Sequence, residues 1–283
     1  MKRTSIKIFV FSSVIIMALA SRAFAAFQWN EEHTVAFFYP SNMTYVDRSD
    51  PKTDFGSDPF LKVGDAIGNP IPDSIYYDAV NATRTYLKFN QQELAAELAN
   101  YTIVSASLNM YLSGVENLPG SSPFDLINVL QVTGANSYSY MQNLTWDRQK
   151  ERNVTFSGGM MFASLNFNVT GETPGLRTWE NASSGNGTVT DMVQMWLNEP
   201  ATNYGVVISN EIDGNWTELV NGTVYQIQRP GQMNELEATF AKSTGYYPFL
   251  KVQVVPEPVS SVLMIVGAGV LGIASSRRRK KIS

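Results

Sequence analysis

Cysteine is absent from all 283 residues. Disulfides, thiolate metal sites and cysteine nucleophiles are therefore excluded. Histidine occurs once, at His33. That rules out a multi-histidine zinc site and confines any Ser-His-Asp triad to the surroundings of one residue. His33 precedes the first expected strand, where a lone imidazole faces solvent. Charged residues are only 16% of the chain, yet 12% are aromatic, which is ample apolar surface to bury and argues against disorder. A chain of this length makes one large domain or two small ones, and all-β folds often use 200–250 residues as a single unit.

The two ends read as addresses. Lys2, Arg3 and Lys7 precede an apolar run from Ile8 to Ala20, followed by Ala23-Phe24-Ala25. A basic region, a short apolar region and a small-residue cleavage site make residues 1–25 a signal peptide. A second apolar run, Val259 to Ala274, follows Pro256-Glu257-Pro258 and leads into Arg277, Arg278, Arg279, Lys280 and Lys281. A basic cluster after a span predicts a cytoplasmic end, with 259–276 crossing the membrane. Gly267, Gly269 and Gly272 suit close packing against a partner helix.

Pro-Glu-Pro, a short span and an arginine-rich end, in that order, resemble the PEP-CTERM sorting signal of exopolysaccharide-producing Gram-negative bacteria. The resemblance covers 255–283. It implies recognition of Pro256, Glu257, Pro258, Arg277, Arg278 and Arg279 by an exosortase, a membrane-embedded processing enzyme. It also implies an inner-membrane intermediate and delivery to the cell surface or extracellular matrix. The other expectation is an ordinary single-span anchor.

Nine of the 21 basic residues lie in these two ends. The body keeps twelve against 25 acids, with Glu257 counted, for a net charge of −13. Binding phosphate needs clustered Lys and Arg, so nucleic acid is not an expected partner.

The body alternates. Ala106, Leu108, Met110 and Leu112 point one way, and Ser105, Ser107, Asn109 and Tyr111 the other. The same period appears in Leu165, Phe167 and Val169, in Leu236, Ala238 and Phe240, and in Leu250, Val252 and Val254, the last set interleaved with Phe249, Lys251 and Gln253. Period two marks strands with one buried face. Gly, Pro and Asn clusters such as Leu118-Pro119-Gly120 and Arg229-Pro230-Gly231 separate them. The expected fold is an all-β, jelly-roll-like antiparallel β-sandwich over 38–254, flanked by the signal peptide and the C-terminal transmembrane helix. Two short helices are expected inside it. Asn90 caps Gln91–Ala99, with Leu94 and Leu98 on one face, and Thr190 caps Asp191–Leu197, burying Trp196. Residues 26–37 read as a mobile leader, 255–258 as a short hinge, and 114–188 as irregular, the best place for long loops.

Four segments in order resemble the DNRLRE domain. They are Tyr45 to Asp58 running into Leu61-Lys62-Val63-Gly64; Arg84 to Phe89 with Ile103 to Tyr111; Val189 to Leu197 with Asn203 to Ile208; and Phe240 to Ser243 with Pro248 to Val252. The match spans about 45–254 and is weakest over 142–188. The resemblance implies a jelly-roll sandwich on secreted proteins and polysaccharide binding, and transfers no defined site.

Four candidate chemistries follow. Asp47, Asp50, Asp54 and Asp58, with Asp65 beyond, supply hard oxygens for a structural calcium if their loop curls; otherwise they make Asx-turns. Tyr138, Tyr140, Trp146 and Trp179 offer flat rings for stacking on sugars. Paired carboxylates for glycoside cleavage need a defined separation, and no local motif singles out a pair, so no enzyme is expected. Ten Asn-x-Ser/Thr triplets occur, which polar strand faces rich in Asn and Thr generate freely. The leading expectation is non-catalytic binding or organisation of extracellular polysaccharide. The alternatives are a purely structural surface protein and a polysaccharide-cleaving enzyme.

Overall fold

A computed structural model describes residues 27–70, 77–117, 124–168, 171–181, 187–210, 216–220, 223–228, 236–243 and 245–257. The signal peptide 1–25, Pro258, the span 259–276 and Arg277, Arg278 and Arg279 lie outside them. Among the described residues no helix is long and apolar enough to cross a membrane.

Alternation becomes strand wherever it was read. The strands are β1 (Phe27–Trp29), β2 (Val35–Phe38), β3 (Asn42–Asp47), β4 (Phe60–Pro70), β5 (Tyr77–Lys88), β6 (Tyr101–Asn117), β7 (Phe124–Gly134), β8 (Thr155–Asn168), β9 (Gly175–Trp179), β10 (Val206–Ser209), β11 (Trp216–Val220), β12 (Thr223–Gln228), β13 (Leu236–Ala241) and β14 (Phe249–Pro256). Three short helices interrupt them: α1 (Gln91–Leu98), α2 (Trp146–Glu151) and α3 (Val189–Asn198).

The strands join in the order β1-β2-β14-β6-β13-β4-β5-β10-β7-β8. Strand β9 adds to β6, β3 and β12 to β5, and β11 to β12. The described pairings are antiparallel. Residues from both ends of this order share one core. Ala36, Phe38, Leu108, Leu250 and Val252 lie in a single buried cluster with Leu87, Ile127, Ala163, Phe167, Val206 and Ile208. The sheet is therefore folded over into an all-β sandwich, and β13 and β4 join its halves through Leu61, Val63, Ala238 and Phe240. Gly64 is required at that junction, because a Cβ there would lie 2.1 Å from the Leu236 carbonyl oxygen.

The helices close the core. Asn90 caps α1 by accepting from the Gln92 and Glu93 amides, and Leu94 and Leu98 are buried. Helix α3 packs against β6 and β8, one from each half, with Val189, Met192, Val193 and Trp196 in the core. Its cap is Thr188 instead of Thr190. Thr188 Oγ1 accepts from the Asp191 amide at 3.1 Å, and Asp191 Oδ2 accepts from the Thr188 amide at 2.8 Å. Thr190 Oγ1 accepts from the Ala106 amide at 2.9 Å and ties the helix to β6.

The structure corrects three boundaries. The leader 26–37 contains β1 and most of β2, because Phe27 and Trp29 pair with Phe38 and Ala36 on the sheet. The hinge 255–258 begins inside β14, which stays paired to β6 through Pro256. The irregular region 114–188 contains β7, β8, β9 and the end of β6, with β7 paired to β8 in unbroken register from Phe124–Asn168 to Val129–Ala163 and through three register shifts from there to Gly134–Thr155.

Candidate functional site

Three of the four sugar-stacking candidates are core residues, which corrects the expectation for each. Trp179 is 0% exposed. It faces inward from β9 opposite Leu108, donates from Nε1 to the Ile127 carbonyl at 3.0 Å, and packs on Phe167 and Phe240 at ring separations of 6.1 and 5.8 Å. Tyr140 is buried edge-on to Tyr86 at 6.2 Å, and burial, with Tyr86 second, pushes its phenol well above the usual range. Trp146 is buried at the start of α2. A ring with no open face cannot stack on a sugar. Only Tyr138 remains exposed. It lies flat on Tyr204 at 4.9 Å, and its hydroxyl donates to the Ala201 carbonyl at 2.7 Å.

The buried rings belong to a second core. Tyr140, Met141, Leu144, Trp146 and Val154, from the connection between β7 and β8, cover Val46, Tyr86, Leu130, Val132 and Val207 on the outer face of the β3-β5-β10-β7 half. Arg84 is fully buried beneath this cover. Its guanidinium lies 4.5 Å from the Trp146 ring centre and 5.0 Å from that of Phe156, where a cation gains from the ring quadrupoles. Gln149 Oε1 accepts from Tyr86 at 2.5 Å and from Arg84 at 3.4 Å.

The aspartates are engaged within their own loop. Asp47 Oδ1 accepts from the Ser49 amide and hydroxyl at 2.7 and 2.6 Å. Asp54 Oδ1 accepts from the Gly56 amide at 2.9 Å. Asp58 accepts from the Phe60 amide at 3.0 Å through Oδ1 and from Tyr45 Oη at 3.0 Å through Oδ2. The Asp50 carbonyl accepts from the Thr53 amide. The bonds to the Ser49, Gly56 and Phe60 amides are Asx-turns, and the Asp50 bond is a backbone turn. Among the described residues no three Asp, Glu or His side chains gather as a metal cage. The loop docks on α2, where the Asp147 amide donates to the Pro51 carbonyl at 3.1 Å. A polar cleft of about 400 Å³ lies between them, lined by Lys52, Asp54, Asn143, Asp147, Arg148 and Glu151, with Thr145.

Among the described residues the outer face of the other half carries no second apolar core. There β2, β14, β6 and β9 lie side by side in register. Phe37 stands opposite Lys251 and Lys251 opposite Ser107; Phe249 stands opposite Asn109 and Asn109 opposite Thr178; Tyr111 stands opposite Leu176. The alternate residues Phe38, Leu250, Leu108, Met110 and Trp179 fill the core, so these rows lie on the opposite side of the sheet, where Lys251, Thr178 and Leu176 are exposed while Ser107 and Asn109 are buried between their neighbours. Phe249 meets Phe37 and Tyr39 at ring separations of 5.8 and 6.3 Å, and Tyr111 meets the exposed Tyr246 at 4.4 Å. Asn109 is locked in place. Its Nδ2 donates to the Ser107 carbonyl and Oγ, and its Oδ1 accepts from Thr178 Oγ1 at 2.8 Å. Leu176 and Tyr246 are about half exposed. Neighbouring strands lie about 4.8 Å apart, so four of them give a platform about 14 Å across. Lys251 is the one charged residue in these rows.

No protein-family model matches the chain, and no curated protein sequence matches it. The two resemblances therefore rest on their own segments, and the open face is argued from its chemistry alone. Motif reading passed over Tyr111, Tyr246 and Phe249 as binding rings. Alternation had already placed Tyr111 and Phe249 on the outward side of β6 and β14, which was the available signal.

Proposed function

We propose that this chain is an exported, non-catalytic protein that holds extracellular polysaccharide on the open face of its β2-β14-β6-β9 half. One observation carries the reading: three outward rings, Tyr111, Tyr246 and Phe249, on a face where the exposed Thr178 hydroxyl is held by the buried Asn109 amide. Aromatic faces stack on the apolar faces of sugars, and polar groups set in place between them bond the hydroxyls. Burial of Tyr140 and Trp146 supports this face over the β7–β8 connection. We read the sandwich as jelly-roll-like and residues 255–283 as a sorting signal that delivers the protein to the cell surface through an exosortase-type enzyme.

The test is retention of the protein in native gels containing the host's own exopolysaccharide. Each ring contributes about 0.5–1.5 kcal/mol, and tenfold in affinity is about 1.4 kcal/mol. Replacing Tyr111, Tyr246 and Phe249 together by Ala should therefore weaken retention about tenfold or more, while Tyr138→Ala leaves it unchanged. Full retention by the triple variant would refute this site. No retention by the unaltered protein would favour the purely structural reading.

A further inference from the structure

The start of the sorting signal is part of the folded sheet. Strand β14 pairs with β6 through Val254–Ile103, Val255–Thr102 and Pro256–Tyr101. The Val254 amide donates to the Thr34 carbonyl on its other side, at 2.9 Å, and the Glu257 amide donates to the Asn100 carbonyl at 2.9 Å. Tyr101, the partner of Pro256, is pinned in turn. Its ring lies 4.9 Å from that of Trp29, whose Nε1 donates to Glu97 at 3.1 Å. The apolar run begins at Val259, two residues beyond Glu257. Two residues span at most about 7 Å, so almost no slack separates the sheet from that run.

We propose that the folded body latches the start of its own processing site, so that an enzyme gains the segment 255–257 only when the end of β14 frays from β6. This rests on the reading of 255–283 as a sorting signal. The physical ground is that enzymes which act on a peptide chain commonly take it as an extended strand, through the same backbone groups that a sheet uses. Here the Glu257 amide is already committed to the Asn100 carbonyl. Strand ends open locally at far lower cost than the whole fold. The rate of processing is then set by how often this end opens, and Trp29 and Tyr101, far in sequence from the signal, govern it.

The experiment uses the full chain in the producing cell and in detergent micelles. A six-residue Gly-Ser segment inserted between Val255 and Pro256 removes the latch and adds slack. Trp29→Ala loosens the latch and adds none. Both should speed conversion of precursor to processed protein several-fold in pulse-chase labelling, the insertion more strongly. In micelles, amide exchange at Glu257 should be slow in the native chain and fast in both variants. Equal processing of the native chain and the insertion variant would overturn the proposal, as would fast exchange at Glu257 in the native chain. Glu257→Ala separates the two readings. If it is processed like the native chain, the sorting signal itself is misread and the latch falls with it, even where exchange shows Glu257 protected.

Discussion

Trp179 decides between a binding ring and a core ring. A buried tryptophan removes about 150–250 Å² from water, which at about 25 cal/mol per Å² is roughly 4–6 kcal/mol and an upper bound. Large-to-small substitutions at such sites cost about 3–5 kcal/mol. Trp179→Ala also orphans the Ile127 carbonyl, which accepts from its Nε1, for about 1 kcal/mol more. The expected loss is therefore about 4 kcal/mol or more. Trp179→Phe keeps most of the area against Phe167 and Phe240 and loses the hydrogen bond, so it should cost about 1–2 kcal/mol. Urea denaturation followed by circular dichroism measures both as shifts of the midpoint at constant slope. A Trp179→Ala protein with an unchanged midpoint and impaired polysaccharide retention would refute the reasoning and return the ring to the surface.

Other substitutions probe the second core, the backbone and the charge balance. The Tyr140 hydroxyl is buried with no hydrogen-bond partner among the described residues, so Tyr140→Phe should leave the melting temperature unchanged or raised; a loss beyond about 1 kcal/mol contradicts this. Gly205 has φ of +101°, and a Cβ there would lie 2.5 Å from the Leu87 carbonyl oxygen. Gly205→Ala should therefore cost more than about 1 kcal/mol in the same denaturation assay. Burial, and then Glu97, raise the Glu93 carboxyl above its ordinary range. The folded chain holds that proton more tightly than the unfolded chain does. The stability this group contributes is complete below the unfolded value, about 4.3, and is lost as pH rises through the folded one. Glu93→Gln should accordingly raise the melting temperature at pH 7 and leave it unchanged at pH 3, and the reverse pattern would contradict the assignment.

Strands with one wet face were legible, because alternation survives only there. The alternating sets of β6, β13 and β14 are buried where period two placed them, and Asn90 and Trp196 hold the roles their spacing predicted. The pattern fails where both faces are covered. Val206–Ser209 is buried throughout, since Val206 and Ile208 enter the main core while Val207 enters the second. Ile127 to Val132 of β7 is buried without a break for the same reason. A continuous apolar run has no period to read. The cover responsible lies in the connection taken for loops, so the misreading of that connection concealed both the second core and the fate of Tyr140 and Trp146. The open face was half legible: its strand residues follow from alternation, whereas Tyr246 joins from a turn whose folding back onto Tyr111 is a tertiary fact.

The place where β14 ends has a consequence for what the body can reach. Strand β14 stops at Pro256, three residues before the apolar run that begins at Val259, and three residues span at most about 10 Å. With the tail held in a membrane as proposed, the folded body stays tethered within that distance of the run, and it becomes free to meet polymer farther out only once the tail is released.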